Sequence, residues 1–157
     1  MEIPLWQRLV APLMYLLPWS EAFPLGISLY QQYPWLQWLA LPILPIELLK
    51  RSIPFELGGL LLFFVLFLAI VRNPSVPYFV RFNTLQALLT DIILIVLTFA
   101  FMVLLQPVVG GGLLMRTLSS TVVVGTLAIL VFALVECLRG KEPDLPGISQ
   151  ATRMQLY

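Results

Sequence analysis

The chain has 157 residues, of which 60% are hydrophobic and 11% charged, and its net charge is +1. An ordinary soluble domain has about 25% charged residues, and one of this length leaves roughly 30% of its unfolded surface exposed. This composition therefore excludes a soluble enzyme, a nucleic-acid binder and a disulfide-stabilised secreted domain. The chain also lacks His and has a single Cys, the residue types on which zinc sites and acid–base catalysis usually depend. We expect an all-α polytopic membrane protein that is not an enzyme and holds no cofactor or metal.

The first fifty residues are apolar but rich in proline. Pro12, Pro18 and Pro24 interrupt the first stretch, and proline removes a helix hydrogen bond. We therefore expect residues 6–30 to cross the membrane as a broken helix. Residues 31–49 contain further prolines and are expected to lie in or dip into the interface, although a full crossing stays open. All four tryptophans fall within these two segments, and Trp prefers the headgroup level.

Three later stretches are long and apolar enough to cross a bilayer, since a crossing helix needs about 20 residues. They cover residues 53–71, 80–105 and 117–135. With the broken first crossing they give about four spans in a membrane domain of residues 1–140. Residues 141–157 are polar and are expected to form a short cytoplasmic or stromal tail.

Basic residues are distributed unequally between the two sides of this topology. Four crossings place six Lys or Arg residues on the side of the termini and three on the other side. The positive-inside rule then puts both termini in the cytoplasm or its plastid equivalent. We expect the only thiol, Cys137, to react from that side. The N-terminal segment has neither the pattern of a cleavable signal peptide nor that of a transit peptide.

A polar stripe runs along one side of the third predicted span. At 100° per residue its members share one arc of the helix: Asn83, Gln86, Thr90 and Asp91. Polar side chains inside a spanning helix face protein or water. The stripe is therefore expected either to line a polar path or to form a helix–helix interface. Asp91 is expected to be a proton-coupled site or a buried hydrogen-bonding partner.

Two further groups of residues carry structural expectations. Arg72, Asn73 and Arg81 surround a loop and are expected to anchor it at the surface or to dock an anionic headgroup or an acidic partner. Thr117, Thr121 and Gly125 recur every fourth residue, and such a ridge of small residues lets helices approach closely.

Four motifs give the sequence a resemblance to a known family. They are YLLPWSEA at residues 15–22, VRN at 71–73, RFNTLQALLTD at 81–91 and GKEPDLPGIS at 140–149. These motifs resemble the Tic-twenty family, the small four-helix membrane subunit of the translocon at the inner chloroplast envelope, which has cyanobacterial and plastid-encoded members. The resemblance implies protein translocation across a membrane, with both termini stromal.

The resemblance also implies a location and partners. We expect a cyanobacterial plasma or thylakoid membrane, or the plastid inner envelope. Expected partners are other membrane proteins or further copies of the chain, lipid, and a translocating polypeptide, without nucleic acid. Two alternatives stay open: a non-conducting assembly subunit of a larger membrane complex, such as a photosynthetic one, and a small ion- or proton-coupled transporter.

Overall fold

A computed structural model describes residues 2–54, 57–110 and 112–156. Across these ranges the chain is built from helices and turns, without a β-strand. The expected all-α polytopic membrane fold is confirmed. Residues 55 and 56 of the predicted span 53–71 lie outside the described ranges.

The N-terminal segment is a succession of short α-helices and 3₁₀ turns. It comprises α1 (Leu5–Val10), a 3₁₀ turn (Ala11–Tyr15), α2 (Leu16–Ala22), a second 3₁₀ turn (Phe23–Gly26) and α3 (Ile27–Gln32). Pro12 and Pro24 lie in the two 3₁₀ turns, where a missing N–H costs less than in the middle of a long α-helix. We call residues 5–32 the N-terminal rod.

The proline-rich segment that follows folds back along this rod. It forms a 3₁₀ helix (Pro34–Ile43) and α4 (Leu44–Ser52). The indole Nε1 of Trp19 donates a hydrogen bond to the carbonyl of Leu39 at 3.1 Å, and Ile43 packs in the same core cluster as Trp19. Neither helix is long enough to cross a bilayer alone. Trp35 and Trp38 are 64% and 71% exposed, as suits rings at the headgroup level.

The rest of the described chain forms helices α5 to α9. They are α5 (Gly58–Leu66) with a π-helical turn (Phe67–Val71), α6 (Tyr78–Ala100) with a π-helical turn (Phe101–Leu105) and α7 (Gln106–Val109), α8 (Leu113–Leu138) and α9 (Ile148–Leu156). The continuous run Tyr78–Val109 has 32 residues and Leu113–Leu138 has 26, and both are long and apolar enough to cross a membrane. Gly58–Val71 is apolar but shorter.

The N-terminal rod runs parallel to α6 and antiparallel to α8. Ala11 packs with Phe79 and Cys137 at one end, and Trp19 packs with Leu94 and Val123 further along. Helix α6 packs against the rod, α9 and the π-helical turn after α5, and α8 packs mainly on the rod.

Burial changes abruptly along α6. Residues 79–88 contain one half-buried position and are otherwise buried or nearly so, whereas most residues from 92 onward are half-exposed or exposed. The run 78–109 is about 48 Å long at 1.5 Å per residue, which exceeds the roughly 30 Å of hydrocarbon. Because of this burial pattern, the first three turns of α6 are enclosed by protein, and the part of the helix that faces lipid begins after Asp91.

Candidate functional site

A network of buried polar side chains occupies the protein-enclosed part of α6. We call it the polar hub, and its members are Tyr15, Asn83, Gln86, Cys137 and Ser149. The hydroxyl of Tyr15 donates to Asn83 Oδ1 at 2.9 Å, and the Cys137 thiol donates to the same oxygen at 3.3 Å. The amide of Asn83 donates to the Phe79 carbonyl one turn earlier. The hub thereby joins the rod, α6 and α8 through hydrogen bonds.

Gln86 connects the hub to the C-terminal segment. Its Nε2 donates to the Tyr15 hydroxyl and to the carbonyl of Pro143, both at 2.9 Å. Its Oε1 accepts a hydrogen bond from the Ser149 hydroxyl at 2.7 Å. Every polar atom of this side chain is used, which is how a fully buried amide avoids its desolvation cost.

The C-terminal segment is docked against the bundle. Leu145, Ser149 and Thr152 are 6%, 1% and 0% exposed, and α9 packs on α6. The Ser149 hydroxyl accepts a hydrogen bond from the Leu145 amide, which closes the turn before α9. The expected tail 141–157 is polar in composition, but its described part folds back as a structural element.

The hub determines what the predicted stripe faces. Asn83 and Gln86 have no exposed surface, and Thr90 is 3% exposed with its hydroxyl donating to the Gln86 carbonyl. The stripe faces protein, and that protein is the chain's own rod and C-terminal segment. As packed here, these three side chains have no surface left to line a path. Cys137 is 0% exposed because the rod and α6 cover it, and this burial argues against its expected reaction from the cytoplasmic side.

Asp91 differs from the rest of the stripe. It is 3% exposed, and its Oδ1 has no hydrogen-bond partner. It lies where the rod and α4 meet α6, within electrostatic range of Glu21 and Lys50. Among the described residues, no donor reaches this oxygen to form the expected buried hydrogen bond.

The loop between α5 and α6 is held by its own residues. Arg81 Nε donates to the carbonyl of Val71, the last residue of the π-helical turn, at 2.9 Å. The Arg72 guanidinium lies over the Phe67 ring at 5.8 Å, and Asn73 Oδ1 accepts a hydrogen bond from the Ser75 amide. Arg81 therefore caps the end of the π-helical turn, while Arg72 and Asn73 make contacts next to and within the loop. Docking of a headgroup or partner stays a prediction.

In the part of the chain that the structure describes, the neighbouring helices leave the ridge of small residues on α8 uncovered. Thr117, Thr121 and Gly125 are exposed, and the space beside the Gly125 Cα is empty. The two threonine hydroxyls donate to carbonyls one turn earlier in the same helix. Close packing of this ridge against another helix stays a prediction, and the open space beside Gly125 leaves room for one.

The divergence of α3 and α8 leaves a groove of about 720 Å³, which we call the lateral groove. Its polar lining residues are Ser28, Gln31 and Gln32 of α3 and Arg116, Thr117, Ser120 and Thr121 of α8. In the described part of the chain, Arg116 forms no ion pair. Four of these residues, Ser28, Gln31, Gln32 and Ser120, carry no motif that marks them as a site in the sequence. The polar residues at the end of α3 are visible in the sequence, but hydropathy along the chain does not show that they lie opposite the start of α8.

Comparison with known proteins identifies a family model and several relatives that match the chain. The family model described as "Chloroplast import apparatus Tic20-like" matches residues 2–152. A Tic20 family protein of Synechocystis sp. is 38% identical over 95% of this chain and 92% of its own length. Protein TIC 20-II, chloroplastic, of Arabidopsis thaliana is 35% identical over 98% of this chain and 74% of its own. The Tic20 family protein Ycf60 of Gracilaria tenuistipitata is 29% identical over 99% and 78%. Since the family model matches nearly the whole chain, and two of these relatives are more than 30% identical to it over nearly its full length, the chain belongs to the Tic20 family.

Proposed function

We propose that the chain is a membrane subunit of a protein-translocating apparatus in a cyanobacterial or plastid membrane, and that it works together with other membrane proteins. The support for this role is membership of a family whose model is described as chloroplast import apparatus. The described fold has no room for a polypeptide inside it, because α6 is packed on several sides by the chain's own helices. A translocating segment would therefore contact the outside of the bundle.

The lateral groove is the observation that carries this proposal. It presents seven polar or charged side chains in the outer wall of a membrane protein, where such groups require protein or water. It is bounded by α3 and α8 and open on its remaining side, so a second wall comes from a partner, a second copy or the moving chain. The polar stripe is a weaker candidate because three of its members are hydrogen-bonded within the hub.

The orientation in the proposal has both termini on the cytoplasmic or stromal side. The Arg8 side chain lies beside Gly140, so the start of the rod and the start of the C-terminal segment occupy the same end of the bundle. Arg72 lies in the loop between α5 and α6, and Arg81 lies in the first turn of α6, whose start packs beside Ala11 at this same end. The positive-inside rule then assigns this basic end to the cytoplasm or stroma, and the lateral groove to the opposite half of the membrane.

Site-specific photocrosslinking tests the proposal. A photoreactive residue is placed at Ser120, in the groove, and as a control at Val96, which is 61% exposed on the lipid-facing part of α6. A precursor arrested in transit should crosslink to position 120 and not to position 96. Equal crosslinking at both positions, or none at position 120, would overturn the assignment of the groove to the moving chain.

The same experiment separates a second candidate, a non-conducting assembly subunit. This role is favoured by Trp35 and Trp38, two largely exposed rings close together on one segment, since exposed aromatic residues are enriched at protein interfaces. An assembly subunit would give the same crosslinked neighbour at position 120 whether or not a precursor is present.

A further inference from the structure

A cluster of charged side chains, one buried and two partly buried, lies where the N-terminal rod, α4 and α6 meet. We call Glu21, Lys50 and Asp91 the charged cluster. Lys50 Nζ donates to Glu21 Oε1 at 2.7 Å and to the Ser20 hydroxyl at 3.0 Å. The Lys50 and Glu21 side chains are 14% and 26% exposed. Asp91 is the most deeply buried of the three, and its Oδ1 is unpartnered.

The position of Lys50 depends on close contact between α4 and α5. A Cβ atom added at Gly58 would overlap the carbonyl oxygen of Lys50, so the two helices meet backbone to backbone at this point. The contact holds the Lys50 side chain toward Glu21 and Ser20. The ammonium therefore has a defined site, and it is hydrogen-bonded to Glu21 and not to Asp91.

The charges of the cluster do not balance. Two carboxylates and one ammonium carry one negative charge in excess, and no other charge faces Asp91 from the described helices around it. Helix α5 with its π-helical turn has no charged residue in its described part, and α8 has none between Arg116 and Glu136. Arg153 of α9 lies over Phe82, more than two turns before Asp91, while Glu47 and Arg51 of α4 line a separate cavity.

A metal ion does not fit this site. Within the described residues no group of three or more His, Cys, Asp or Glu side chains is placed to hold one. Glu21 Oε1 is already bonded to Lys50, which leaves Asp91 without a second carboxylate to share an ion. The cation that matches a single unpartnered carboxyl oxygen is a proton.

We propose that Asp91 is a proton-binding site inside the membrane domain, and that it is neutral while Lys50 is paired with Glu21. When Asp91 releases its proton to water, it becomes a carboxylate, and Lys50 turns from Glu21 toward it. No covalent bond other than the carboxyl O–H is broken. Ser20, which accepts a hydrogen bond from Lys50, also lines a cavity of about 220 Å³, so the Lys50 side of the cluster borders open space. Proton binding is thereby coupled to the packing of α4 on the rod.

Selective labelling makes the test direct, because the chain contains two aspartates, Asp91 and Asp144. The protein is produced with ¹³C-carboxyl aspartate and its two resonances are followed by NMR in detergent micelles. Asp144 is exposed and is assigned by the loss of its signal in Asp144→Asn. At neutral pH the Asp91 resonance should have the chemical shift of a protonated carboxyl and the Asp144 resonance that of a carboxylate. Two carboxylate resonances at neutral pH would overturn the proposal.

A second variant tests the exchange of Lys50 between its two partners. In Glu21→Gln the ammonium loses its carboxylate, and the Asp91 resonance should shift to the carboxylate position at the same pH. An Asp91 resonance that stays at the protonated position in this variant would refute the exchange. Neither measurement involves translocation, so the outcome is independent of the proposed function.

Discussion

Replacing Gln86 with Leu should release the C-terminal segment from the bundle. The substitution is close in size but removes both hydrogen bonds from Gln86 to this segment, one to the Pro143 carbonyl and one from the Ser149 hydroxyl. At about 1 kcal/mol for each buried hydrogen bond, docking loses roughly 2 kcal/mol. Since 1.4 kcal/mol corresponds to about tenfold, the open fraction of the segment should rise roughly 30-fold.

Hydrogen exchange measures this opening directly. Backbone amides of α9 that are protected by docking should exchange roughly 30-fold faster in Gln86→Leu, as expected for an opening destabilised by about 2 kcal/mol. Gln155→Leu is the matched control, because Gln155 is an exposed residue of the same segment. If protection of α9 is the same in the two variants, the hydrogen bonds of Gln86 do not hold the segment and the argument from the hub fails.

Three further predictions concern other contacts. Gly58→Ala should lower the free energy of unfolding by about 1–3 kcal/mol, because the added methyl group overlaps the α4 backbone. In the control Gly59→Ala the added methyl group meets its nearest atom at 3.8 Å, so this change should be neutral. Thermal unfolding in detergent compares the two variants, and equal losses of stability would contradict the overlap. Arg81→Ala removes the hydrogen bond to the end of the π-helical turn. Proteolysis of the loop that follows this turn should therefore be faster in Arg81→Ala than in Arg72→Ala. The reverse order would contradict the capping role of Arg81. Cys137 should resist a membrane-permeant maleimide in the folded protein and react after unfolding, since it is 0% exposed. Rapid labelling of the native state would show that the polar hub is open.

The positions of the helices could be predicted from the sequence because hydropathy and proline determine where a helix begins and ends through residues that are close together in the chain. The spans expected at 80–105 and 117–135 correspond to Tyr78–Val109 and Leu113–Leu138. The arc shared by Asn83, Gln86 and Thr90 also follows from helical geometry alone, and all three are buried.

The partners of these residues could not be predicted in the same way. Gln86 bonds to residues 71, 57 and 63 positions away, and nothing in the periodicity of α6 identifies them. The C-terminal segment has the polar, proline-containing composition of a solvated extension, although it docks. Lys50 counts as a surface anchor in a tally of basic residues, but the fold-back of residues 34–52 pairs it with Glu21. Pairings of this kind depend on tertiary packing, and the local composition of the sequence contains no information about them.

The hydrogen bond between Ser149 and Gln86 has a consequence for biogenesis. The two residues are separated by 63 positions, which a ribosome adding about 5–20 residues per second needs roughly 3–13 s to synthesise. During that interval α6 enters the membrane with its central amide lacking two of its three final partners. The nascent bundle therefore passes through a stage in which this amide is available to chaperones, lipids or neighbouring subunits, and the last segment to be synthesised ends that stage.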